Sequence, residues 1–87
     1  MIADDTLNEL AELDGWSVDG DTAIFRPVDA GWSAHVMHRV VHGKHHKNWH
    51  MSLIDPRQLC REVSVRSRLA DARVLAEGRV RAENRAA

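Results

Sequence analysis

The 87-residue sequence predicts a small α+β domain, an antiparallel sheet of three to four strands with about three helices on one face. Three observations carry that expectation. Leucines recur at helical spacing near the start, two short β-prone runs flank an Asp-Gly dipeptide, and a period-two run precedes an Ala- and Arg-rich C-terminal segment.

Thr6-Leu7-Asn8-Glu9 fits a capping box, in which the Thr hydroxyl and the Glu carboxylate satisfy N–H groups left open at a helix start. Leu7, Leu10 and Leu13 follow on one face and Gly15 is a natural stop, so the first helix is expected over Thr6–Asp14. Trp16-Ser17-Val18, the turn dipeptide Asp19-Gly20 and Thr22-Ala23-Ile24-Phe25-Arg26 predict a two-stranded hairpin. Pro27 and Asp29-Ala30-Gly31 end it.

A second helix is expected to begin near Trp32. At 100° per residue, Trp32, Val36, Met37, Val40 and Val41 spread over one half of it, and His35, His38, His42, His45 and His46 over the other. After Asp55-Pro56 the stretch Leu59–Arg66 alternates with period two, which predicts a long strand with Val63 and Val65 inward. A last helix is expected across Leu69–Asn84, where Gly78 costs about 1 kcal/mol relative to Ala and predicts fraying of the final turns. Trp16, Ile24, Phe25, Val63 and Val65 are the expected core.

The length fits one domain, residues 1–87. A chain this short buries about 60–65% of its unfolded surface, so a homodimer or higher homo-oligomer is expected, with the edge of the Leu59–Arg68 strand in need of cover. Lys and Arg number 12 against 13 Asp and Glu, which argues against a general nucleic-acid binder. Acids dominate the first 30 residues, whereas arginines crowd the segment from Arg57 to Arg85. The single Cys60 excludes an intramolecular disulfide and a cysteine-rich zinc site. Apolar runs are too short for a membrane span and Met1–Asp5 has no signal-peptide character, so the cytoplasm is the expected compartment.

Leu13-Asp14-Gly15-Trp16, then Ile24-Phe25-Arg26, then Arg61-Glu62-Val63-Ser64-Val65, in the element order helix, hairpin, helix, strand, helix, resemble the pterin-4a-carbinolamine dehydratase family. Dehydratases of that family carry His-His-Pro at the end of the second helix and a third histidine after the long strand, a proton donor and base for expelling the 4a-hydroxyl. Counted without gaps, those positions fall here on Ser52-Leu53-Ile54 and on Ala70; a shift of two residues to match the proline gives Ile54-Asp55-Pro56. Forcing His45-His46 into the slot puts Lys47 at the proline.

The resemblance therefore implies the catalytically degenerate branch of the family, which accompanies α-carboxysomes and assists RuBisCO assembly. What it implies is a non-enzymatic chaperone in carbon fixation, without cofactor or metal, with Ser52, Leu53 and Ala70 at the lost catalytic positions. RuBisCO or another client protein would be the partner, with neither nucleic acid nor membrane, and the carboxysome the associated place. The competing expectation is an active dehydratase.

All six histidines lie between His35 and His50. Pairs such as His38/His42 and His42/His46 would suit zinc, copper or nickel on a helix, but no carboxylate or thiol stands beside them to complete a shell. The preferred expectation is a titratable polar face, with His38, His42, His45, His46 and Trp49 as candidate partner-binding residues and Trp49 as an aromatic anchor. The arginines are expected to form a solvated face paired with Glu62, Glu77 and Glu83, and Cys60 to be buried or half-buried.

Overall fold

The computed structural model describes residues 7–27, 31–41 and 43–86, with side chains throughout except at 39–41 and 44–47. A short helix α1 (Leu7–Leu10) is followed by strands β1 (Trp16–Asp19), β2 (Thr22–Phe25), β3 (Ser33–Val41), β4 (Lys44–Ile54) and β5 (Cys60–Arg66), and then by helix α2 (Leu69–Ala86). The strands form one five-stranded antiparallel sheet in the order β1-β2-β3-β4-β5. Each strand thus pairs with its neighbour in sequence.

Cross-strand pairing sorts the side chains into rows. On one face lie Trp16, Phe25, Ala34, Leu53 and Glu62, then Val18, Ala23, Val36, Met51 and Ser64, and then His38, Trp49 and Arg66. One alanine, Ala34 or Ala23, stands between larger residues in each of the first two rows. Against them α2 lays Leu69, Ala72, Ala76 and Val80, a stripe at helical spacing in the same buried cluster. Two alanines in that stripe keep the helix close to the sheet. Phe25, Val36, Met51, Leu53, Leu69 and Val80 are almost wholly buried, each contributing on the order of 1.5–3 kcal/mol through its apolar area.

The opposite face carries two unbroken rows, Ser17-Ile24-His35-Ser52-Val63 and Asp19-Thr22-Met37-His50-Val65, and at one end the paired Ser33 and Ile54, which are buried. Neither described helix covers it. Ile24 lies on this open face and is only half-buried, not a core residue. Val63 and Val65 are there too, 56% and 41% exposed, so the expected phase of the last strand is inverted. The register of β5 on β4, which follows an irregularity between Leu53 and Ile54, pairs Glu62 with Leu53 and Ser64 with Met51 and so turns these residues, not the valines, toward the helix side. There the Glu62 carboxylate accepts hydrogen bonds from Arg79 of α2 at 3.1 and 3.2 Å.

The second helix is absent, and β3 and β4 stand in its place, giving five strands and two described helices. Residues 33–38 satisfy period two as well as period 3.6, since Ala34 and Val36 point to the core while His35 and Met37 point away. Gly43, at φ 77, stands in the connection between Val41 and Lys44, which pair across the hairpin. β-Branched Val36, Val40 and Val41 favour the extended form.

Elsewhere the sequence-based expectations fare better. The first hairpin forms, with Gly20 at φ 61 in its two-residue loop. Thr6 of the capping box lies outside the described residues. The first helix is cut to four residues because the chain then tightens, Glu12 N–H donating to Glu9 at 3.2 Å and Leu13 N–H to Leu10 at 2.9 Å, three residues back in each case. Helix α2 runs past Gly78 to Ala86 without breaking there. No described helix is long and apolar enough to cross a membrane.

Candidate functional site

β3 and β4 outrun their neighbours. β2 accompanies β3 only as far as Met37, and β5 accompanies β4 only as far as Trp49. The two strands stay paired beyond that, through Val40 with His45 and Val41 with Lys44, after an irregularity between His38 and Val40. A two-stranded ribbon of about 13 Å therefore projects from the sheet, at ~3.3 Å per residue.

At the root of the ribbon His38 and Trp49 lie directly across from each other, ring centroids 3.6 Å apart and tilted by 45°. Trp49 is 6% exposed and belongs to the core cluster. It is not the exposed anchor expected on a polar helix face. His42 lies outside the described residues, and His45 and His46 are placed only as backbone of β4. The shared helical face expected for them does not exist, because consecutive strand residues alternate. The histidines are gathered instead by hairpin pairing along one ribbon and the sheet behind it.

The positions that the resemblance aligns with the family's histidines are not brought together. Leu53 is buried in the core, Ser52 is on the open face of the sheet, and Ala70 is exposed in the first turn of α2. Ala70 lines a cleft of about 290 Å3 with Leu10, Leu13 and Leu69, rimmed by Glu9 and Arg73. A second cleft, of about 120 Å3, is lined by Asp14, Gly15, Phe25, Pro27 and Arg81. Neither is lined by a histidine.

Beside the smaller cleft, Glu77 accepts the indole N–H of Trp16 at 2.8 Å and is paired with Arg73 at 3.1 Å, while the Arg81 guanidinium lies 5.4 Å above the Phe25 ring. Glu77 thus has its acceptor oxygens engaged, and Trp16 has the partner that a buried indole N–H needs. Arg79 joins Glu62 and Glu83, and these hydrogen bonds, Glu62 first, hold its guanidinium more firmly protonated than usual. Arg73, Arg79 and Arg81 of α2 thus form a solvated face paired with Glu62, Glu77 and Glu83, as the sequence predicted.

Besides Arg79, two described groups carry a shifted proton affinity. On the open face, His35 is held below the ordinary histidine value by partial burial and then by the charge of Arg26. In the β4–β5 loop, the carboxylate of Asp55 accepts backbone N–H groups of Leu59 at 3.0 Å and Arg57 at 2.9 Å and meets Arg61 at 2.8 Å. The Leu59 bond above all, then that of Arg57 and the charge of Arg61, lower its pKa against the opposing effect of burial. Those bonds belong to a turn in which Gln58 takes φ 68, so the role of Asp55 is architectural. Cys60 is exposed, not buried. Among the described residues no group of three or more His, Cys, Asp or Glu is placed to hold a metal ion.

The open face itself, with Ile24, Met37, Val63 and Val65, was missed as a surface. The period-two alternation of residues 33–38 and Gly43, a residue suited to a turn, were the signals that could have exposed it. Compared with known proteins, the chain matches no family model, and no curated protein or solved structure is significantly similar to it.

Proposed function

We propose that this chain is a non-catalytic protein-binding module, an assembly factor, whose docking element is the β3–β4 ribbon and whose partner presents an acidic surface. The supporting observation is the ribbon's reach beyond β2 and β5 combined with its composition. Residues 38–49, the ribbon and its root, hold four of the six histidines together with Arg39, Lys44 and Lys47, and contain no carboxylate. A projecting strand pair without acids raises the association rate toward an acidic partner and discriminates against basic ones.

The dehydratase resemblance names RuBisCO as the client to test first, with the α-carboxysome as its setting. That resemblance keeps its first hairpin and last helix, but the second helix it implied is a strand pair. The binding reading therefore rests on the ribbon. Titration of the full chain with purified RuBisCO should give saturable binding that weakens as salt rises. Replacing Arg39, Lys44 and Lys47 together by Glu should abolish it. Binding indifferent to that triple substitution would remove the ribbon, and binding to other acidic proteins but not to RuBisCO would remove the client. Turnover of a 4a-hydroxytetrahydropterin would overturn the non-catalytic reading.

A further inference from the structure

We propose that the open face of the sheet is a two-fold interface between two copies of this chain. Its two rows contain ten residues, of which Ile24, Met37, Val63 and Val65 are aliphatic and one, Asp19, carries a formal charge. An antiparallel sheet with one wet face normally alternates apolar inward and polar outward. β5 does the reverse, sending Val63 and Val65 out and Glu62 and Ser64 toward the helix side. Exposed apolar side chains grouped in adjacent rows mark an interaction surface.

The identity of the occupant follows from charge and size. An isologous interface sets a surface against itself, so a charge at its centre would meet its own like. Here the centre, from Ile24 to Val63 and from Met37 to Val65, is uncharged, which suits a second copy and offers nothing for an acidic or basic client to recognise. The charges stand at the ends. Asp19 closes β1 at one end of the first hairpin, and Arg26, close enough to His35 to act on it, follows β2 at the other. A two-fold axis across the strands places Asp19 of one copy beside Arg26 of the other.

The dimensions agree. The protein measures 38 × 28 × 20 Å, and 20 Å is about the depth of one sheet with one layer of helix, given a spacing of roughly 10 Å between packed layers. The two rows, five strands at ~4.8 Å spacing and two rows of side chains deep, span roughly 300 Å2, the size of a small interface populated at high micromolar concentration. Two sheets stacked this way would enclose a second core, the burial that a short chain lacks alone.

Sedimentation equilibrium of the full chain at high micromolar concentration tests this. The wild type should be a dimer, and Val63→Asp or Val65→Asp should yield a monomer with an unchanged far-UV spectrum, since both side chains are exposed in the protomer. Asp19→Arg and Arg26→Asp should each weaken the dimer, and the double variant should restore it. A monomeric wild type overturns the proposal, as does a dimer indifferent to both valine substitutions, which would place the contact on the β5 edge. Loss of RuBisCO binding in Val65→Asp with a monomeric wild type would give the face to the client instead. Failure of the charge exchange would overturn the axis. Because the ribbon is untouched by these substitutions, a failed dimer leaves the client-binding reading to its own test.

Discussion

At Gly15 the backbone holds φ 85, and a Cβ there would stand 2.9 Å from Cε1 of Phe25. The two effects add, because a left-handed residue with a side chain is strained by about 1–2 kcal/mol even in open space. Phe25 cannot retreat easily, being 1% exposed and 5.2 Å from the Trp16 ring. Gly15→Ala should lower the unfolding free energy by about 1–3 kcal/mol, read from urea titrations followed by tryptophan fluorescence. Gly78 is the opposite case. It sits in the exposed middle of α2, and a Cβ there meets nothing within 4 Å, so Gly78→Ala should stabilise by about 0.5–1 kcal/mol. An unchanged or lowered midpoint in that variant would mean that α2 is not helical at Gly78.

Helix α2 and the ribbon show what was legible at the scale of elements. The last helix was readable from its Ala- and Arg-rich composition, and Leu69, Ala72, Ala76 and Val80 carry the 3.6 period by which it packs on the sheet. The first hairpin was readable from Asp19-Gly20. Residues 32–46 were not, since the spacing of Val36, Met37, Val40 and Val41 suits a helix stripe as well as a pleat, and only pairing with β2 on one side and β4 on the other decides between them. Mistaking the element also misplaced the candidate site, as histidine density is visible in the sequence but the face it occupies depends on the period. The close approach of α2 to the sheet supplies a test at this scale. Ala76 is wholly buried, so Ala76→Leu should destabilise by about 1–3 kcal/mol through overpacking. Val74, on the same helix and 59% exposed, should tolerate Ala within about 0.5 kcal/mol. Equal effects at the two positions would show that α2 does not present its alanine stripe to the sheet.

For the molecule as a whole, stability should fall with acid in two pH windows, set by two different groups, His35 on the open face and Asp55 in the β4–β5 loop. His35 titrates below its ordinary value of 6.5 because partial burial and Arg26 disfavour the imidazolium. Between the folded pKa and 6.5 the unfolded chain therefore binds more protons than the folded one, and stability falls as pH drops through that window. Asp55 acts in the same direction lower down. Its pKa is held below 3.8 by the N–H groups of Leu59 and Arg57 and by Arg61, so its contribution is intact above 3.8 and is lost as pH falls from there through the folded value. Chemical denaturation at a fixed protein concentration, repeated across pH, should thus give a plateau above neutrality and a decline below about 6.5, followed by a second decline in strong acid. His35→Gln should flatten the first decline and spare the second. Asp55→Asn keeps an oxygen for the two backbone donors but loses the charge facing Arg61, so it should lower the plateau and flatten the second decline alone. If His35→Gln leaves the profile between pH 5 and 7 unchanged, the open face does not shield that imidazole.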